Sequence, residues 1–238
     1  MPKVDPEPSG IGPRPSSGRV PLTASPSPPL TPYKAFCEKW RKGCGADICS
    51  RALNRVFARG TSVPADVLFI GEAPGVSEDV LAAPFVGPAG KKMDAIIRDA
   101  FDAVPVPFTY CLFNLVGCIP RRGENWGQGG KAVSEPYSGE IEQCRPRLIE
   151  FIRLCRPRLI VNVGSLAKTW SPPPKAIWPL KHQKLTNGVP SVELIISIDH
   201  PAYILRLNYA QRGLATKRCV AQIVEALERL SEGDDHAV

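Results

Sequence analysis

The chain has 238 residues, 26 Pro, eight Cys and a formal charge of +7 from 30 Lys and Arg against 23 Asp and Glu. That length suits one compact domain, no apolar run approaches the roughly 18 residues of a membrane span, and the opening Met1-Pro-Lys-Val-Asp lacks the apolar core of a secretory signal. A cytoplasmic protein of bacterial or phage-like type, with no membrane partner, is expected, its cysteines serving as thiols or metal ligands rather than disulfides.

Residues 1–32 hold ten Pro, five Ser and three Gly and no aromatic residue. Such a stretch buries too little apolar surface to offset the entropy of ordering, so it is predicted to be a disordered tail ahead of a domain at 33–238. Within that domain four short runs read as buried strands: Ala65–Ile70, Thr109–Phe113, Arg158–Val163 and Glu193–Ile198. Their near-continuous apolar character fits a sheet covered on both faces. Between the first two, Met93, Ile96, Ile97, Ala100, Phe101 and Val104 recur at helical spacing. A second helix is predicted over 147–155, started or kinked by Pro146, and a third over about 213–231. The alternation predicts a single-domain three-layer α/β/α fold around a mostly parallel four-stranded sheet.

Each strand runs into polar or turn-forming residues: Gly71-Glu-Ala-Pro-Gly75, Asn114, Gly164-Ser165 and Asp199-His200-Pro201. Ligands of open α/β sheets bind beyond the carboxyl ends of the strands, so these residues are expected to share one crevice. Two basic stretches suit a phosphate backbone. One holds Lys168, Lys175, Lys181, His182 and Lys184 with Trp170 and Trp178; the other holds Arg145, Arg147, Arg153, Arg156 and Arg158 against Glu150. A solvated face explains them equally well.

The most specific signature is Gly71-Glu-Ala-Pro-Gly-Val-Ser-Glu-Asp79, four residues, then Pro84-Phe-Val-Gly-Pro-Ala-Gly90. Asn114 in Asn-Leu-Val-Gly-Cys, Cys118-Ile-Pro-Arg, Cys144 in Glu-Gln-Cys-Arg-Pro-Arg, and His200-Pro-Ala-Tyr-Ile-Leu-Arg206 follow in order. Together, over roughly residues 40–225, they resemble the uracil-DNA glycosylase superfamily, in particular its family 4 iron-sulfur enzymes. The resemblance implies hydrolysis of the N-glycosidic bond of uracil in DNA by a monofunctional enzyme, leaving an abasic site in base excision repair. The implied partner is uracil-containing DNA, single- or double-stranded, bound by a monomer.

A glycosylase must extrude its base, hold it and help it leave as an anion. By resemblance, Gly71, Ala73, Phe85 and Asn114 bind the base. Phe85 stacks on it, a contact of about 1–3 kcal/mol, and the Asn114 amide, both donor and acceptor, reads the pyrimidine edge. His200 stands near O2 of the departing base and stabilises charge that develops in the transition state. Glu72 and Glu78 are both candidates for positioning water or stabilising the sugar cation, unless either is spent on turn amides. Residues 201–206 are expected to be a loop pressing into the strand, with Pro201, Tyr203, Ile204 or Leu205 against DNA and Arg206 on a phosphate.

The family also implies four cysteine ligands for a 4Fe-4S cluster, two before the first strand and two after the Asn motif. Cys118 and Cys144 match the later pair, with an insertion around 123–130 between them. Cys44 and Cys49 take the earlier places, with Cys37 in reserve, since the family's tight Cys-x-x-Cys is absent. Four thiolates also suit zinc. Cys111, Cys155 and Cys219 occupy apolar positions and read as core residues. Ala82 for the usual Gly, Ala202 for the usual Ser, and the insertion leave two alternatives open: a same-fold enzyme for a modified pyrimidine, or an inactive uracil- or abasic-DNA-binding module.

Overall fold

The structure is a computed structural model that describes residues 31–121, 133–173 and 192–235. Most of the Pro-rich tail, the 123–130 insertion, and Lys175, Trp178, Lys181, His182 and Lys184 lie outside the described residues. Five strands form the sheet: β1 (Arg59–Gly60), β2 (Val67–Gly71), β3 (Tyr110–Asn114), β4 (Leu159–Val163) and β5 (Leu194–Ile198). Their order is β1-β3-β2-β4-β5. The last four run parallel, and β1 pairs antiparallel with β3 through Arg59 and Gly60. The predicted sheet had four strands; β1 is the addition, and two residues carry no periodicity by which to find it.

Side-chain alternation divides the core. Val67 and Phe69 point to one face, where α4 (Pro88–Phe101), α7 (Pro201–Arg206) and α8 (Tyr209–Asp235) contribute Met93, Ile97, Ile204, Ile223 and Leu227. Leu68 and Ile70 point to the other, covered by α1 (Pro32–Trp40), α5 (Ser138–Cys155) and α6 (Ser165–Trp170) through Phe36, Leu148, Phe151 and Ala167. Strands covered on both faces must be apolar throughout, which explains the near-continuous runs in the sequence. A third, smaller cluster lies beyond the sheet: Ile48 and Cys49 of α2 (Asp47–Arg51) meet Val116, Cys118, Ile141 and Cys144. Among the described residues no helix is long and apolar enough to cross a membrane.

Three boundaries differ from expectation. The Thr31 hydroxyl caps α1 by accepting from Lys34 N at 3.3 Å, so Thr31 and Pro32 join the folded part rather than the tail. Helix α5 starts at Ser138 and runs through Pro146. Proline removes the N–H that would bond the carbonyl of Glu142, but Ile141, Cys144, Leu148 and Phe151 keep one buried stripe across it, and packing outweighs the lost bond. Residues 201–206, expected as a loop, are helix α7, with His200 as its N-cap and Pro201 in its first turn.

Candidate active site

At the carboxyl end of β2, Gly71 admits two side chains. A Cβ on it would sit 2.4 Å from Cζ of Phe85 and 2.5 Å from Oδ1 of Asn114, so any larger residue would displace both. The β2–β3 ladder aligns Gly71 with Asn114 and continues past the strands, with Leu115 N donating to Gly71 O at 2.9 Å and Val116 N to Glu72 O at 3.3 Å. Asn114 is buried, and its carbonyl accepts from Arg147 Nη2 at 2.8 Å.

Phe85 is almost buried and has a φ of +56°, an unfavourable conformation for a bulky residue that its surroundings must enforce. Arg59 of β1 does so, donating from Nε to Pro84 O at 2.8 Å and from Nη2 to Phe85 O at 2.9 Å, with Asp94 at 2.7 Å holding the guanidinium. Glu78 secures the same segment from the other side. Its Oε1 accepts from Val86 N (3.0 Å) and Gly87 N (2.9 Å), and its Oε2 accepts from Gly75 N (3.1 Å). Both oxygens of Glu78 are thus taken by backbone amides, which corrects its candidacy for activating water: it belongs to α3 (Val76–Leu81) and the turn. Glu72, half-buried, is the remaining candidate of the two. Burial, and secondarily the charge of Glu135, push its pKa up to about 7.

The register carries the site across to β4 and β5. Ile70 pairs with Asn162, which brings Gly71 beside Val163 and the following Gly164. Gly164, at φ +96°, would hold a Cβ only 3.1 Å from Cβ and 3.2 Å from Cδ2 of His200, so the imidazole packs on its bare backbone. His200 Nδ1 accepts from Ala202 N at 3.1 Å. A nitrogen that accepts carries no proton, so the neutral ring has its N–H at Nε2. Burial and then Arg206 lower the His200 pKa, favouring this neutral form. Along α7, Tyr203 and Arg206 are exposed and Leu205 half-buried, whereas Pro201 and Ile204 are buried. The expected DNA contacts at Pro201 and Ile204 are corrected accordingly: helical geometry turns those two into the core. Of the basic run at 145–158, Arg147 is buried, Arg145 pairs with Glu142 and Arg158 with Glu193, so this is not a free cationic stripe.

Cys44, Cys49, Cys118 and Cys144 line one small pocket with Arg55, Gly117 and Arg147. The Sγ atoms of Cys49 and Cys118 are 3.4 Å apart, and those of Cys44 and Cys49 are 3.7 Å apart. Sharing protons within the set pushes the Cys49 and Cys144 thiols down in pKa and those of Cys44 and Cys118 up. The sulfurs touch one another, and among the described residues no three His, Cys, Asp or Glu side chains surround a single point as metal ligands. Donor chemistry still fits the implied group: four thiols, with no carboxylate or imidazole among the pocket residues, are the set for a 4Fe-4S cluster and equally for structural zinc. Cys37 lies elsewhere, against the core beside Tyr33. Cys111, Cys155 and Cys219 are buried in the two main cores, as their apolar settings predict. Ala73 packs against the cysteine cluster, joining the first motif to it.

Arg55 and Arg59 were not singled out in the sequence, Asp79 stood there only as the end of the first motif, and Arg147 only as a member of a basic run. Asp79 is fully buried and accepts from Leu53 N (3.2 Å), Asn54 N (3.1 Å) and Arg121 Nη2 (2.7 Å), which ties the cysteine-bearing segment to the first motif. Its place beside Glu78 in the motif was the available signal. No local pattern pointed to the partners of Arg59 and Arg147, because Phe85 and Asn114 lie 26 and 33 residues from them.

This chain belongs to the uracil DNA glycosylase superfamily, whose family model matches residues 57–228. It is similar to the type-4 uracil-DNA glycosylase of Saccharolobus solfataricus, 34% identical over 111 residues that make up 47% of this chain and 45% of that one. It is 30% identical to the type-4 uracil-DNA glycosylase of Pyrobaculum aerophilum over 59% of this chain and 68% of that one. With the type-4 uracil-DNA glycosylase of Thermotoga maritima the identity is 26%, over 77% and 87% of the two chains. The match thus spans less than half the length of the Saccharolobus protein.

Proposed function

We propose that the protein is a uracil-DNA glycosylase that hydrolyses the N-glycosidic bond of uracil in DNA and leaves an abasic site. The observation that carries this reading is the meeting of Phe85 and Asn114 over Gly71, one strand away from a His200 held neutral with its N–H at Nε2. Phe85 stacks on the extruded base. The Asn114 amide accepts from N3–H and donates to O4 of uracil, a pairing that cytosine reverses. His200 Nε2–H donates to O2 as the base departs as an anion, a bond that strengthens with the developing charge and so lowers the barrier. Glu72, once ionised, orients the attacking water or stabilises the positive charge on the sugar.

Cys44, Cys49, Cys118 and Cys144 would hold a 4Fe-4S cluster, which when bound cross-links the segment before β1 to that after β3. The motif resemblance to the family 4 iron-sulfur enzymes supports this choice over zinc. Tyr203, Leu205 and Arg206 of α7 would meet the strand, a reading supported by the exposure of Tyr203 and Arg206.

The test is release of free base from a uracil-containing oligonucleotide, identified by mass spectrometry and paired with alkali cleavage at the abasic site. His200→Ala and Asn114→Ala should each lower the rate at least a hundredfold while DNA is still bound. A parent protein that binds the DNA and releases no base would overturn the reading, and release of a different pyrimidine would redirect it.

A further inference from the structure

Two arginines line the cysteine pocket, Arg147 buried and Arg55 half-buried, and neither pairs with a carboxylate among the described residues. Arg147 is 3% exposed, and its Nε and Nη1 have no hydrogen-bond partner. Its guanidinium carbon lies 4.3 Å over the ring of Phe113, which itself stacks on Phe151 at 3.9 Å, so the head group is held in a fixed plane. A Cβ on Gly117, next to Cys118, would be 3.0 Å from Cζ and 3.1 Å from Nη1 of Arg147, so only glycine lets the cation in. Arg55 repeats the pattern. Its Nε is also buried and unpartnered, and its Nη1 reaches Ala52 O at 3.4 Å. A Cβ on Gly43 would lie 2.6 Å from Sγ of Cys49 and 3.1 Å from Nε of Arg55, which sets that donor beside that sulfur.

A buried cation with orphaned donors is costly unless an anion answers it. Four thiolates around a cluster in its usual oxidised state carry a net charge of about −2, and two guanidinium groups balance it; charge and hydrogen bonds to the sulfurs are among the properties that set a cluster's potential. We propose that Arg55 and Arg147 are the counter-charges of the iron-sulfur cluster, and that Arg147, through its bond to the backbone carbonyl of Asn114, is the positioning residue that ties the cluster to the base-reading residue. This rests on the reading of Cys44, Cys49, Cys118 and Cys144 as cluster ligands.

The experiment uses the full-length protein isolated anaerobically with its cluster. Arg55→Met and Arg147→Met remove positive charge, which disfavours the more negative reduced state. Each should lower the reduced-to-oxidised ratio at fixed poise about tenfold, a fall of about 59 mV for a one-electron couple. Ile48→Val, which loosens packing in the same cluster of side chains without touching charge, should leave the potential in place. If a Met variant does not accumulate, Arg55→Gln or Arg147→Gln, which keeps an N–H and drops the charge, is read the same way. If the couple lies outside the accessible range, the readout is the loss of visible absorbance to a chelator, expected about tenfold faster in the variants and unchanged in Ile48→Val. A parent without iron overturns the cluster reading and this inference with it. A parent with its iron, and arginine variants that match it in both measurements, overturns the role of the arginines alone.

Discussion

At the scale of single residues, the site separates two carboxyls that the sequence places in the same motif. Glu78 spends both oxygens on amides, and Glu72, the carboxyl proposed to act, sits in a setting that raises its pKa to about 7. The sign of the consequence is definite. A carboxyl whose folded pKa lies above its ordinary value binds its proton more tightly in the folded state, so stability falls as pH rises from the ordinary value of 4.5 through about 7. Activity should move the opposite way, because the ionised form of Glu72 is the one proposed to act. Glu72→Gln, which mimics the protonated form, should remove the rise in kcat/KM through pH 7 and lower it about a hundredfold, yet raise the melting temperature at pH 8 and leave it unchanged at pH 4. Equal melting temperatures at pH 8 would show that burial does not disfavour the charge. Phe85, Asn114 and His200 were legible in the sequence because they stand in dense local motifs. The division between Glu72 and Glu78 was not, since it depends on which amides the turn directs at each.

Among the elements, helix α3 shows how local strain is placed next to function. It ends on Ala82 at φ +54°, a left-handed C-cap that glycine adopts freely and alanine does not. Ala82→Gly should stabilise the protein by about 1 kcal/mol, read from denaturant midpoints, without changing base release. Glu78→Ala should cost about 2–3 kcal/mol by the same measurement, since it leaves three amides near the motif without their acceptor. A midpoint for Glu78→Ala equal to the parent's would mean that the turn holds without the carboxylate. The helical stripes of α4 and α8 were readable from periodicity alone. The start of α5 was not, because a proline within a helix and a proline that begins one look alike until the tertiary stripe through Ile141 and Cys144 is known.

For the molecule as a whole, four strands were visible in the sequence because each is an apolar run between turn residues. The two-residue β1 and the joining of four distant cysteines depend on long-range packing that no local pattern records. Asp79 and Arg147 are the ties between these parts: one binds the segment around Leu53 to the first motif, and the other binds the cysteine pocket to the end of β3. The short strand β1 has a further consequence. It is the outermost piece of the sheet, yet it carries the arginine that clamps Phe85 in its strained conformation. Edge segments with few bonds open before the rest of a fold, so warming should release the aromatic ring while the four parallel strands remain intact. Hydrogen exchange followed by mass spectrometry should therefore show the amides of Val86 and Gly87 losing protection below the melting temperature, together with base release, and Arg59→Lys should bring both losses several degrees lower. Exchange at those amides that waits for global unfolding would mean the clamp is as durable as the core. Early loss at those amides gives substrate handling a thermal ceiling of its own, set by two residues at the margin of the sheet.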